Sequence, residues 1–159
     1  VCSLSCYTPG FLENGDVVEG TYVWASFLPF EEADTNEELA RCMAAVDTDF
    51  PEAWAAGAWA SGLLLEEAVN GIVAADGPNA ITRARLLEEL RTVESFNANS
   101  WWGDTDFSSS NTISDCFMVM QVQDNAFVRV HPEERGTLDC GPQNATAVTV
   151  DSGAFTPDS

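Results

Sequence analysis

The chain of 159 residues contains no lysine, and its six arginines stand against 26 acidic residues, so its formal net charge is −20. A surface with that charge repels phosphate backbones and anionic lipids, which disfavours binding to nucleic acids and to membrane surfaces. We interpret the charge as that of a well-hydrated surface kept soluble by self-repulsion, rather than as a patch for one cationic partner.

Other features are scarce as well. No run of 18 apolar residues occurs, so no membrane-spanning helix is predicted. The nucleophile elbow, the phosphate-binding loop and the dinucleotide-binding glycine pattern are missing. The single histidine, His131, precedes Pro132, and we interpret it as a partly exposed strand-end residue rather than as the base of a catalytic triad. Adjacent acids such as Glu66 and Glu67 point in different directions, which is typical of solvated faces.

The five cysteines include no CxxC motif, and with one histidine they make a zinc site poorly supported. An exported protein with disulfides fits better. Cys116 and Cys140 flank a predicted hairpin and form the first predicted pair, and Cys6 with Cys42 is the second. An odd cysteine is then free or bonded to other sequence. Asn144-Ala145-Thr146 has the form of a glycosylation acceptor.

The pattern of apolar residues predicts strands at both ends of the chain and helices between them. Strands are predicted over residues 1–6 and 19–28, and Thr35 with Glu38 matches a capping box at the start of a helix. The next helix is predicted from Pro51 to Asn70, capped by Gly71 and buried because residues 55–65 are apolar almost all round. Thr82–Arg91 is the third predicted helix.

A β-hairpin is predicted after these helices. Its strands are Ser114–Gln123 and Ala126–His131, joined at Asp124-Asn125, a pair that tolerates a left-handed backbone. A further strand is predicted at Thr146–Val150, and residues 151–159 are predicted to be a tail. Strands, helices and strands in that order indicate an α/β or α+β fold.

A polar stretch before the hairpin carries two candidate features. Asp104, Asp106 and Asp115 stand at calcium-loop spacing together with Ser108, Ser110 and Thr112. The sixth position lacks glycine and a strand follows, so we interpret the segment as a polar surface loop and assign no metal. Trp101-Trp102 lies in the same stretch, and at least one of its rings is expected to be exposed or to line a cleft.

Seven segments together resemble one protein family. They are residues 6–12 (CYTPGFL), 18–23 (VEGTYV), 27–33 (FLPFEEA), 36–39 (NEEL), 55–70, 82–84 (TRA) and 116–130 (CFMVMQVQDNAFVRV). In order and spacing they are similar to the C-terminal part of substrate-binding proteins of ABC transporters, of the branched-chain amino acid and amide type, over about residues 1–141.

The resemblance implies a fold. It implies a portion of the α/β type I periplasmic-binding fold, which has two lobes of three-layer αβα architecture and is expected to be incomplete in this chain. Residues 1–20 would end the second lobe, residues 21–28 would form a crossing strand, and residues 29–100 would be the helical part of the first lobe. Residues 101–150 would return to the second lobe with the hairpin.

The resemblance also implies a site. Loops at the carboxyl ends of strands meet the ligand in such folds. The matching positions imply seven ligand-binding residues, which are Tyr7, Thr8, Gly57, Ala58, Trp59, Trp101 and Trp102. Family members commonly carry a carboxylate near the first of these positions, where it meets the ammonium of an amino acid. This chain has Cys6-Tyr7-Thr8 there, without an acidic residue.

The function implied is that of a non-enzymatic, cofactor-free protein outside the cytoplasm, lipid-anchored through sequence that precedes Val1. It would capture a small polar solute, such as an amino acid or amide, for the membrane permease of an ABC importer. The missing N-terminal part of the same protein would be a further partner. Two alternatives stay open: a sensory or structural ectodomain of the same fold with a protein partner, and an acidic hydrolase, which needs a carboxylate with a strongly raised pKa in a cleft.

Overall fold

A computed structural model of the chain describes residues 1–46, 48, 50–108 and 114–146. Within these described residues, four helices and four strands are assigned, with short 3-10 turns between them. In chain order the elements are α1 (Pro9–Leu12), β1 (Tyr22–Ala25), α2 (Glu37–Ala45), α3 (Ala53–Asp76), α4 (Arg83–Leu90), β2 (Cys116–Gln123), β3 (Ala126–His131) and β4 (Asp139–Cys140). None of the helices within these described residues is long and apolar enough to span a membrane.

The strands form one antiparallel sheet with β2 at its centre. β1 and β3 flank β2, and β4 pairs with its first two residues. The predicted hairpin is confirmed, because Asp124 and Asn125 join β2 to β3 with φ values of 51° and 62°. Positive φ at both turn residues is what a two-residue hairpin with the native strand twist requires.

One face of the sheet is buried in the core. β2 alternates strictly, with Met118, Met120 and Val122 facing inward, as the two-residue period of a strand dictates. This face packs against Tyr7, Phe27, Leu28, Phe30, Leu39 and Trp101. The opposite face keeps Tyr22 and Trp24 44% and 45% exposed. The core of the described chain is therefore one-sided.

The N-terminal segment differs from the prediction. Residues 1–6 are not a strand: Cys2 makes a single bridge with Val23, and Leu4–Cys6 is a 3-10 turn. Cys2 and Cys6 form a disulfide with their Cα atoms 6.0 Å apart, far closer than four extended residues allow. The predicted Cys6–Cys42 pair is therefore wrong, and Cys42 is a buried free thiol. The Cys116–Cys140 disulfide is confirmed.

Helix α2 begins one residue later than predicted. Asn36, not Thr35, is its cap, because the Asn36 side chain accepts a hydrogen bond from the backbone N–H of Leu39 at 2.9 Å. Thr35 instead donates its hydroxyl to the Glu32 carbonyl. Glu38 does not close a capping box; its buried carboxylate accepts hydrogen bonds from Trp59, Arg41 and Asn99.

Helix α3 is longer and less buried than predicted. It continues through Gly71 to Asp76, and Gly77, with φ of 84°, ends it. Gly71 does not cap the helix; a side chain there would collide with the Glu89 carboxylate of α4. Only one side of α3 is buried, and Trp54 and Leu65 on the other side are 68% and 48% exposed. Apolar composition all round implied burial, but no described element covers that side.

A buried ion pair ties the turn before α2 to the chain after β3. Arg129 and Glu32 face each other as guanidinium and carboxylate, with side chains only 6% and 4% exposed. Arg129 also donates to the carbonyls of Pro132 and Thr137, and the N–H of Gly136 donates to Glu32. Every charged group here is therefore matched by hydrogen bonds.

Helix α4 confirms its prediction closely, with Thr82 as the cap that accepts from the Arg85 N–H. The predicted strand at Thr146–Val150, apart from Thr146, and the predicted tail lie outside the described residues.

Candidate functional site

A cavity of about 380 Å³ lies between α3 and the segment that precedes β2. Its floor begins at Ser26, directly after the carboxyl end of β1. Helix α3 contributes Gly57, Ala60, Ser61 and Leu64. The other lining residues are Phe96, Trp102, Thr105, Phe107 and Ser114. The volume falls in the range of small-ligand sites in proteins.

Backbone hydrogen bonds hold in place the segment that carries the aromatic rings of Phe96, Trp102 and Phe107. Phe96 and Thr105 exchange two such bonds, at 3.0 and 2.9 Å, and the N–H of Phe107 donates to the carbonyl of Val93. The Asp104 carboxylate accepts hydrogen bonds from the Ser95 hydroxyl and from the side-chain amide of Asn97, which join the two ends of the same loop. The rings therefore sit on a fixed backbone.

The same segment is fastened to the end of β1. The N–H of Gly103 donates to the carbonyl of Ser26, and the N–H of Leu28 donates to the carbonyl of Trp101, both at 2.9 Å. Trp102 packs on Phe27 with ring centroids 4.7 Å apart. The Trp102 indole nitrogen is buried and has no hydrogen-bond partner among the described residues.

Gly57 creates room in the wall of the cavity. A Cβ added at this position would meet no atom within 4 Å. A larger side chain at this position would therefore extend into the cavity.

A second cavity of about 550 Å³ adjoins the first, and both are lined by Ser26 and Ser114. It runs along the exposed face of the sheet beside Trp24, Phe117 and Val119. The two cavities share these two residues, and we refer to the pair of cavities as the candidate groove.

Comparison with family models decides the family. The model described as periplasmic binding protein matches residues 1–126, which is well over half of the chain. The chain belongs to the periplasmic binding protein family. The family is that of branched-chain amino acid-binding type I periplasmic binding proteins. Comparison with curated proteins and with solved structures gave no significant match.

Membership in the periplasmic binding protein family confirms the resemblance and the fold class. The mixed helix and sheet architecture fits a partial domain of that fold. Membership also supports a solute-binding role and a location outside the cytoplasm for a chain of a generally non-enzymatic family. The match ends at Ala126, where β3 begins, so residues 127–141 lie beyond it.

Two of the seven predicted site residues meet in the first cavity. Gly57 of α3 and Trp102 are far apart in the sequence, and both line this cavity. Ala58 and Trp59 instead face a groove of about 580 Å³ between α2 and α3. The indole N–H of Trp59 donates to Glu38 at 2.7 Å. Thr8 precedes α1 and is half-buried.

Tyr7 and Trp101 lie in the core. The Tyr7 hydroxyl donates to the Glu31 carboxylate and accepts from the Phe30 N–H. Burial, followed by the charge of Glu31, raises the pKa of Tyr7 well above its ordinary value, so the hydroxyl stays protonated. The Trp101 indole donates to the carbonyl of Leu28, and its ring is fully buried. Their polar atoms are thus satisfied within the chain.

Glu31 and His131, the candidates for acid-base catalysis, are each paired with another side chain. The pKa of Glu31 is raised by burial, but this carboxylate pairs with Tyr7 and does not line the cavity. His131 is half-exposed at the end of β3 and pairs with Asp139 at 2.7 Å, which lowers the pKa of Asp139.

Ser110 and Thr112 of the calcium-spaced loop lie outside the described residues. Within the described part of the chain, no three acidic, histidine or cysteine side chains form a metal-binding group.

Sequence reasoning missed most of the lining. Ser26, Thr105 and Ser114 are common polar residues without a pattern, and nothing in the sequence distinguishes them. Phe96 and Phe107 carried a usable signal, because they are large apolar residues within an otherwise polar stretch on either side of Trp101-Trp102.

Proposed function

We propose that the chain captures a small polar solute, such as an amino acid or an amide, and passes it to the membrane permease of an ABC importer. The observation that carries this proposal is the shared cavity of Gly57 and Trp102, because positions far apart in sequence and implied by the family meet around one space. We retain only these two of the seven predicted residues as solute contacts.

The proposed lobe boundaries support the same site. Residues 29–100, proposed as first lobe, supply the α3 wall and Phe96, while residues 101–150, proposed as second lobe, supply Trp102 and Phe107. Ser26 belongs to the proposed crossing strand. In a two-lobed binding protein the solute lies between the lobes, and closure about a hinge traps it.

We further propose that the remaining, N-terminal part of a two-lobed protein covers the exposed apolar surfaces, and that a lipid anchor precedes it. The exposed rings of Tyr22, Trp24 and Trp54 support a polypeptide partner there. The same rings favour the second candidate function, a sensory or structural ectodomain that binds a protein.

A thermal-shift panel of amino acids, amides and urea-like solutes tests the proposal. A solute at a hundred times its Kd stabilises the folded state by about 2.7 kcal/mol, which corresponds to a rise in Tm of about 5–11 °C for a chain of this size. Sucrose at equal concentration is the control for non-specific effects. If no member of the panel raises Tm above the sucrose control, the solute-binding proposal fails and the ectodomain alternative is favoured.

A further inference from the structure

The first cavity differs from the rest of this acidic chain in the charge of the residues that line it. Although the chain carries 32 charged side chains, the described residues that line the first cavity include no acidic or basic residue. A charge that leaves water for an apolar space without a partner is strongly disfavoured. The ammonium and carboxylate of an amino acid would therefore both lack a partner in this space.

Three hydroxyl groups of the lining make hydrogen bonds to the backbone. Ser61 and Thr105 already donate their protons to backbone carbonyls, at 2.8 and 3.2 Å, so their oxygens face a ligand as acceptors. Ser114 accepts from the backbone N–H of Cys116 at 3.2 Å, and as a hydroxyl it can also donate a proton to a ligand in the cavity. A primary amide offers the complementary set, with two N–H donors and one carbonyl acceptor.

The rings of the lining set the shape of the rest of the solute. Phe96 and Phe107 meet edge to face, with centroids 6.0 Å apart and planes at 68°. Trp102 presents a third ring. Aromatic side chains prefer offset or edge contacts with a further ring, so a flat apolar group fits between them.

We infer that this cavity takes an uncharged primary amide attached to an aromatic or similarly flat apolar group, and that it rejects zwitterionic amino acids and carboxylate anions. The inference rests on the proposed solute-binding function and narrows its solute class. Asp115 lines the adjoining cavity; its carboxylate disfavours anions and favours cations, so a cationic analogue is the stricter test of a preference for neutral solutes.

The test uses one ring with three head groups. Binding of benzamide, benzoate and benzylamine to the 159-residue chain is measured by calorimetry, with acetamide and phenylalanine as further probes. Benzamide is expected to bind at least about tenfold more tightly than either charged analogue. A tenfold difference corresponds to about 1.4 kcal/mol, which is within what one unpaired polar group costs. Acetamide, which lacks the ring, is expected to bind more weakly than benzamide as well.

Two glycines of α3 provide a matched pair of variants. Gly57→Leu fills the cavity and is expected to weaken benzamide binding at least about tenfold. Gly62→Leu is the control: it also adds a side chain into open space on the same helix, but in the groove between α2 and α3. It is expected to leave affinity within about twofold. Gly57→Ala, which raises helix propensity and adds one methyl group, covers the case in which the leucine variant does not fold.

The outcomes separate the inference from the proposed function. If phenylalanine, benzoate or benzylamine binds as well as benzamide and Gly57→Leu removes that binding, the solute-binding function stands and the neutral-amide inference is overturned. If benzamide binds equally to both leucine variants, the cavity is not the site. If no probe binds and the wider solute panel fails too, the proposed function falls with the inference.

Discussion

Replacement of Arg129 by methionine is expected to lower the free energy of unfolding by about 3–5 kcal/mol. The guanidinium is buried and is the ion-pair partner of Glu32, whose side chain is only 4% exposed. Methionine would leave a buried carboxylate without its counter-charge, and the carbonyls of Pro132 and Thr137 without their donor. Urea unfolding followed by tryptophan fluorescence measures the change.

Arg135→Met is the matched control for this experiment. Arg135 pairs with Asp34, but the two side chains are 53% and 66% exposed, and exposed pairs contribute about 0–1 kcal/mol. Both variants lower the positive charge by one, so long-range repulsion within the acidic chain changes equally. Equal destabilisation by the two substitutions would show that Arg129 and Glu32 are not a buried pair.

Replacement of Cys116 and Cys140 together by serine is expected to cost about 3.5 kcal/mol of unfolding free energy, from the chain entropy of a loop that spans 24 positions. This disulfide joins β4 to the first residue of β2, beside Ser114 and Asp115 of the candidate groove. Its loss is therefore expected to loosen one rim of the groove as well. Guanidinium unfolding under non-reducing conditions measures the effect.

The Cys2 and Cys6 pair is the internal comparison. It closes a loop of only four positions, for which the same reasoning gives about 2 kcal/mol. A larger cost for the Cys2/Cys6 double variant than for the Cys116/Cys140 double variant would contradict the loop-entropy account of this chain.

Local sequence signals predicted the elements whose causes are local. The hairpin turn at Asp124-Asn125 and helix α4 depend on residues a few positions apart, and both were predicted correctly. The capping box at Thr35 was wrong because Glu38 serves distant partners, Trp59 and Asn99, instead of the helix end.

Tertiary contacts decided the remaining differences. Helix α3 passes through Gly71, and the Glu89 side chain of α4 lies beside this glycine, a contact that no local pattern encodes. Cys6 pairs with Cys2 because the chain turns between them. Tyr7 is buried where its hydroxyl meets Phe30 and Glu31, more than twenty positions away in the sequence.

The candidate site was only partly predictable for the same reason. The family resemblance identified Gly57 and Trp102, but the cavity also needs Ser26 and the two phenylalanines, which backbone pairing brings together. The neutral chemistry of the lining emerges only from that assembly, since the overall composition of the chain is strongly acidic.

The most direct test of the account follows the indole N–H resonances of the five tryptophans while a binding solute is added. Single Trp→Phe variants assign the resonances. The account predicts that the resonance of Trp102, whose indole nitrogen is buried beside the cavity, shifts in a saturable manner, while that of the exposed Trp54 stays in place. A saturable shift of Trp59 in the groove between α2 and α3, with Trp102 unchanged, would contradict it.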